Sequence, residues 1–175
     1  MKRVVVFAGP PCSGKSTYGE HFAAALAAPH FEMDAIRARI LPHAAHTRAD
    51  REVAYRVMHM MAEAALALGH GCIVNASYSH QADREALGRI GAPVFLIECH
   101  VTADAAVERS AGRRGSHPGH DLTEARVREL VAAYPFSGLG LAVDSSEPLP
   151  ACVSAIAAYL AADVAIGAGA WASAV

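Results

Sequence analysis

Apolar positions along the chain alternate between two rhythms. Val4–Ala8 is an unbroken run of β-branched, aromatic and small residues, the pattern of a strand covered on both faces. Shorter runs at Cys72–Val74, Val94–Cys99 and Leu141–Val143 repeat it, and His30–Met33 gives a fainter one. The stretches between them read as helices. Thr17–Ala28 is alanine-rich and ends before Pro29, through which a helix does not easily continue. In Asp50–Leu68, the residues Val53, Val57, Met60, Met61, Ala64 and Leu68 fall on one face at helical spacing, and Gly69 follows as a stop. Core packing is the expected role of the methionines on this helix, Met58, Met60 and Met61. Ser79 is expected to cap a helix to about Ile90, and Thr102 another to about Arg113. Asp121 with Glu124 is expected to open a helix to about Ala133, and a last helix covers about Pro150–Val164.

Five strands alternating with crossover helices imply an α/β fold, with a parallel sheet covered by helices on both faces. A length of 175 residues suits one domain, expected over residues 1–165. Gly112–His120, rich in Gly, Arg, His and Pro without a regular period, reads as a loop, and Ile166–Val175 as a flexible tail.

Composition narrows the function. Just over half the chain, 53%, is apolar, enough to bury a substantial core, while the formal charge of −2 argues against a general nucleic-acid binder. Cys12, Cys72, Cys99 and Cys152 are widely spaced with no C-x-x-C pair, so buried free thiols are expected. His43/His46 and His117/His120 have no accompanying cysteine or H-E-x-x-H pattern, and no structural zinc is expected. Met1-Lys2-Arg3 precedes an apolar run that breaks at Gly9 after five residues, short for a signal peptide, and no run approaches a membrane span. A cytoplasmic location is expected.

The chemistry enters directly after the first strand. Gly9-Pro10-Pro11-Cys12-Ser13-Gly14-Lys15-Ser16-Thr17 fits G-x-x-x-x-G-K-[ST]. In such a loop the backbone N–H groups point inward to phosphate oxygens, Lys15 reaches the β and γ phosphates, and Ser16 offers its hydroxyl to Mg²⁺. The helix that follows aims its positive end at the same anion. ATP with Mg²⁺ is the expected ligand, held by Gly9, Pro11, Cys12, Ser13, Gly14, Lys15, Ser16 and Thr17.

Asp34 stands at the carboxyl end of the second strand, where open parallel sheets place their ligands. A carboxylate there can orient or deprotonate an acceptor hydroxyl and can touch the metal through water, and it can also simply cap a helix. Arg37, one helical turn on, is a candidate for holding an anionic group of the substrate.

Together, Gly9–Thr17, Met33-Asp34-Ala35-Ile36-Arg37 and Glu108-Arg109-Ser110-Ala111-Gly112-Arg113-Arg114 resemble the small P-loop kinases. That group includes gluconate and shikimate kinases, chloramphenicol phosphotransferase, zeta toxins and the kinase domains of polynucleotide kinases. The resemblance runs over about residues 3–145, with the phosphate loop as its specific part. It implies a P-loop NTPase fold of three α/β/α layers, with the five strands in the order 2-3-1-4-5. It implies transfer of a γ-phosphoryl group to a hydroxyl, with Lys15 and Asp34 catalytic and Ser16 and Asp34 beside the metal. It also implies a lid at about 112–121 whose arginines close over the phosphates, Arg113 first and Arg109 with it. Many of these kinases carry an aspartate where this chain has Asn75, which can hydrogen-bond substrate or a metal-bound water but supplies no charge. Arg84 is a further substrate-contact candidate.

The expected partner is a small hydroxyl-bearing acceptor, and the expected assembly a monomer or homodimer. Two alternatives remain: a 5′-hydroxyl polynucleotide kinase, which needs a basic channel that the overall charge does not suggest, and a nucleotide-dependent switch without an acceptor.

Overall fold

The computed structural model describes residues 2–43, 47–112 and 122–172. Its centre is a five-stranded sheet in the order β2-β3-β1-β4-β5, with every neighbouring pair parallel. The strands are β1 (Val4–Ala8), β2 (His30–Glu32), β3 (Cys72–Ala76), β4 (Val94–His100) and β5 (Leu141–Asp144). All residues of β1 and β3 are buried, as continuous apolar runs in a doubly covered parallel sheet require. The fold class and strand order read from the sequence are those found.

The helices are α1 (Lys15–Leu26), α2 (Met33–Ile40), α3 (Arg48–Ala67), α4 (Gln81–Gly88), α5 (Ala103–Gly112), α6 (Glu124–Ala132) and α7 (Leu149–Ala162). Alternation along β1 divides the core. Val4, Val6 and Ala8 face a cluster with Tyr55, Met58 and Ala62 of α3, Leu87 of α4 and Trp171. Val5 and Phe7 face Tyr18 and Phe22 of α1 and Ile156 and Leu160 of α7. Thus α3 and α4 cover one face of the sheet, and α1 and α7 the other.

Three local expectations are corrected. On α3 the buried residues are Ala54, Tyr55, Met58, His59, Ala62, Ala65 and Leu66, while Val53, Met60, Met61 and Leu68 are exposed. The helix is rotated from the bulkier apolar stripe because Ala54, Ala62 and Ala65 let its backbone lie close against the sheet. Its start is fixed by a capping box in which Thr47 accepts from the Asp50 amide at 3.2 Å and Asp50 accepts from the Thr47 amide at 2.8 Å.

The caps of α4 and α6 also differ from expectation. His80 rather than Ser79 occupies the cap of α4, without a side-chain bond. Thr123 caps α6 by accepting from the Arg126 amide at 3.3 Å, a residue type and spacing that serve as well as the expected Asp121, which lies outside the described residues.

The third correction concerns the tail. Ile166 forms an antiparallel bridge with Val94, and a 3₁₀ turn over Ala168–Ala172 carries Trp171, which is 1% exposed in the core beside α4. Gln81 Nε2 donates to the Trp171 carbonyl at 2.7 Å. A buried indole outweighs the low propensity of the Gly/Ala-rich run around it. All four cysteines are free, and Cys72, Cys99 and Cys152 are buried. Among the described residues, no helix is long and apolar enough to cross a membrane.

Candidate functional site

Parallel strands all end at one edge of the sheet, and the register brings the chemistry there. Ala8 at the end of β1 pairs with Ala76 of β3, and Asn75 of β3 pairs with Glu32 of β2. The chain leaves β1 at Gly9, whose φ of 153° and close packing admit no side chain: a Cβ would lie 2.6 Å from the Cys99 carbonyl oxygen and 2.7 Å from Ser13 Oγ. Pro11 and Cys12 form the half-buried tip, with Cys12 at φ 60°, and Ser13 is fully buried. Gly14, at φ 86°, caps α1, so the helix starts at Lys15, two residues earlier than its composition suggests. Alternating left- and right-handed backbone turns the loop into a concave row of N–H groups ahead of a helix N-terminus, the geometry that binds anions.

Lys15 folds back over this loop. Its Nζ donates to the Pro10 carbonyl at 2.7 Å and to Ser13 Oγ at 3.4 Å. Burial holds the Lys15 pKa below the ordinary lysine value, while Cys99, Asp34, Cys12 and Glu32 act in the opposite sense. The ammonium therefore sits in the field of both carboxylates from the end of β2. Ser16 Oγ donates a short hydrogen bond to the Glu32 carboxylate. Thr17 is exposed on the first turn of α1.

Glu32 was not singled out from the sequence, where it lies inside a short, weakly apolar strand. The signal that could have found it is position: Glu32 is the last residue of β2 and the cap of α2, at the sheet edge where the phosphate loop also stands. Its pairing with Ser16 supplies the carboxylate that Asn75 cannot. A hydroxyl and a carboxylate are hard oxygen donors of the kind Mg²⁺ takes. Among the described residues there is no cluster of three or more His, Cys, Asp or Glu side chains able to hold a metal alone. That donor set fits an ion held largely by phosphate and water, as Mg²⁺ commonly is.

Asp34 lies within the first turn of α2, whose cap position is Glu32, so it is not the helix cap. Its side chain is 44% exposed, and Arg37 Nη2, almost fully buried, stands 3.4 Å from Oδ1. Arg37 thus meets Asp34 itself, at the position where the sequence suggested a substrate anion. Next to them is a rigid hydroxyl cluster. Tyr55 accepts from the Tyr78 amide at 2.8 Å and lies 3.2 Å from Ser77 Oγ. Burial, followed by the fields of Asp83 and Asp34, raises the Tyr55 pKa against the pull of its hydrogen bonds to Ser77 and Tyr78. Tyr134 donates to the Ser77 carbonyl, and His59 Nε2 pairs with the Tyr78 hydroxyl at 3.1 Å. Arg48 forks onto Asp83 at 2.7 and 3.0 Å.

Two other candidates are redirected. Asn75 is buried and donates from Nδ2 to the Lys15 carbonyl at 2.9 Å, so it braces α1 from within. Arg84 is also buried and donates to the Pro135 carbonyl, tying α4 to the segment before β5. Arg109 of α5 reaches the phosphate loop from behind. It donates to the Cys12 carbonyl at 3.1 Å and to Ser145 at 2.8 Å (Oγ) and 2.6 Å (carbonyl), fastening the loop to the turn after β5. Arg113, Arg114, His117, His120 and, except for Gly112, the lid segment 112–121 lie outside the described residues, as does His46.

A family model described as an AAA domain matches residues 4–136, most of the chain and all of the site described above. The chain belongs to this AAA-domain family. Solved structures show the same fold across nearly the whole of this family member. A sugar kinase from Janibacter sp. HTCC2649 is 20% identical, with a TM-score of 0.73 and coverage of 97% of this chain and 98% of that one. A gluconokinase from Sinorhizobium meliloti 1021 is 23% identical, with a TM-score of 0.70 and coverage of 91% of each. A provisionally assigned kinase from Chloroflexus aurantiacus is 21% identical, with a TM-score of 0.74 and coverage of 90% and 98%. No curated protein sequence matches this AAA-domain protein. The resemblance to small P-loop kinases read from the sequence is therefore also one of fold.

Proposed function

We propose that the protein is an ATP- and Mg²⁺-dependent phosphotransferase that moves the γ-phosphoryl group to a hydroxyl of a small-molecule acceptor, with Asp34 activating that hydroxyl. The observation that carries this reading is geometric: Lys15 Nζ folds back onto the anion-binding loop at the Pro10 carbonyl, 2.7 Å away, and the next residue, Ser16, bonds the Glu32 carboxylate, two positions before the partly exposed Asp34. One point at the sheet edge thus adjoins both a triphosphate cradle and a partly exposed carboxylate.

Asp34 accepts the hydroxyl proton of the acceptor as the acceptor oxygen bonds to the γ-phosphorus. The bond from that phosphorus to the β–γ bridging oxygen breaks, and ADP keeps the electron pair. Lys15 and the loop amides stabilise the charge spread over the phosphate oxygens. Ser16 and Glu32 are the residues that would hold Mg²⁺, which would neutralise phosphate charge when bound. Arg109 keeps the loop in shape, and Arg113 is assigned to the transferring group as a lid arginine. Ser77 is assigned as a hydroxyl partner for the acceptor, with the buried Tyr55 hydroxyl 3.2 Å from its Oγ. The fold likeness to a sugar kinase and a gluconokinase supports a small polar acceptor, and the net charge of −2 supports it over a nucleic-acid strand. A cytoplasmic location, with its ATP pool, suits this reaction.

The test is ADP release by purified protein against a panel of sugars, sugar acids, nucleosides, antibiotics and a 5′-hydroxyl oligonucleotide. Acceptor-dependent release that Asp34→Asn removes is the expected result. Nucleotide-dependent partner binding with no transfer to any compound would favour the switch instead.

A further inference from the structure

Asn75 is spent on the backbone of α1, and its surroundings show how. The Lys15 carbonyl can only accept a hydrogen bond, so the Asn75 amide must present Nδ2 to it, as it does at 2.9 Å. That orientation turns Oδ1 to the other side, where it is buried with no partner among the described residues. His30 Nε2 is likewise buried without a partner. Both orphaned atoms crowd one point. A Cβ built on Gly19 would lie 2.6 Å from His30 Nε2, 2.7 Å from Asn75 Oδ1 and 2.4 Å from Asn75 Nδ2. Helix α1 can pass this close only because residue 19 is glycine. The two orphans are also complementary, since a proton on His30 Nε2 is the donor that Asn75 Oδ1 lacks.

We propose that Asn75 is a positioning residue for nucleotide binding: steered by His30 and admitted by Gly19, its amide fixes the Lys15 peptide and with it the phosphate loop. The inference rests on the nucleotide-binding reading of that loop and says nothing about the acceptor. Its physical basis is that Lys15 and Ser16 share the peptide held by Asn75, so tilting that unit misdirects the ammonium and the hydroxyl together. Because His30 and Glu32 belong to the same short strand, the brace also ties the phosphate loop to the strand that carries Glu32 and leads into Asp34.

The test uses full-length protein and Mg·ATP, titrated calorimetrically. Asn75→Leu keeps the volume and loses the donor. Asn75→Asp keeps the shape and loses the donor only while its carboxyl is ionised. The titratable groups facing this point are His30 and Glu32 from β2 and Lys15 from α1, so wild type is titrated in parallel and its own pH dependence divided out. Asn75→Leu is expected to weaken binding about tenfold at every pH, the size of one lost buried hydrogen bond. Asn75→Asp is expected to bind at least as weakly near about pH 8 and to recover towards wild type near about pH 5, because burial raises the carboxyl above its ordinary range and the neutral acid donates to the Lys15 carbonyl. The recovery also shows that the variant is folded. Unchanged affinity in both variants, or an equal loss in both that does not vary with pH, would overturn the inference. Absence of binding by wild type would instead overturn the reading of the loop.

Discussion

The two halves of the site are built in opposite ways. The nucleotide half is one continuous stretch, Gly9–Thr17, whose working groups are mostly backbone amides shaped by Gly9, Cys12 and Gly14. The proposed acceptor half is gathered from α2, α3 and the turn after β3, and would work through side chains: Asp34, Arg37, Tyr55 and Ser77. Backbone chemistry at fixed spacing tolerates little change. Side chains gathered from three elements can be exchanged one at a time, which is how one scaffold serves many acceptors.

The sharpest break of this contrast is Lys15→Ala. It removes the one side chain on which the nucleotide half depends, and phosphoryl transfer should fall by about 10³-fold or more in kcat. The same variant reports on pH. Because burial lowers the folded-state pKa of Lys15 below its ordinary value of 10.5, the unfolded chain binds more protons as pH approaches that value. Wild-type stability without nucleotide should therefore rise with pH there relative to Lys15→Ala, read as the difference between their denaturation curves.

Asp34→Asn cuts the other half. Turnover should drop by about 10²–10⁴-fold while the Kd for Mg·ATP stays within about twofold, because the amide cannot take the acceptor proton. Retained transfer would remove Asp34 from its role. Glu32→Gln should act between the halves, raising the Mg²⁺ concentration needed for half-maximal nucleotide binding by about tenfold with little change at saturating Mg²⁺. A Mg²⁺ titration followed by calorimetry reads it.

The smallest effect tests the rigidity of the acceptor side. Burial pushes the His59 pKa down from 6.5 to about 4, so the folded protein holds this ring neutral against the Tyr78 hydroxyl. The unfolded chain takes up the proton first. The stability contributed is complete above 6.5 and is lost as pH falls from there towards about 4, in the amount of about 3 kcal/mol. His59→Gln should flatten that slope in urea denaturation.

The same contrast decides what the sequence reveals. The phosphate loop and all five strands were legible, because buried parallel strands and a local anion cradle each leave a contiguous signature, while the strand order came only through the resemblance to small P-loop kinases. Glu32 was not, since its importance comes from meeting Ser16 across 16 positions of chain. Asn75 was read as a substrate contact because a polar residue at a strand end suggests a site, and Arg84 because it lies on the helix that follows; only packing shows them turned towards Lys15 and Pro135. The face of α3 was misjudged because periodicity finds a stripe without saying whether small or large residues will meet the sheet. Trp171 shows the converse: one aromatic residue organises a tail whose composition promises nothing.

Calorimetric titration of the wild-type protein with ATP at millimolar Mg²⁺ reaches the shared foundation most directly. A saturable heat with a micromolar Kd, abolished or greatly weakened in Lys15→Ala and preserved in Asp34→Asn, is the predicted result. No detectable heat with ATP or GTP would contradict it.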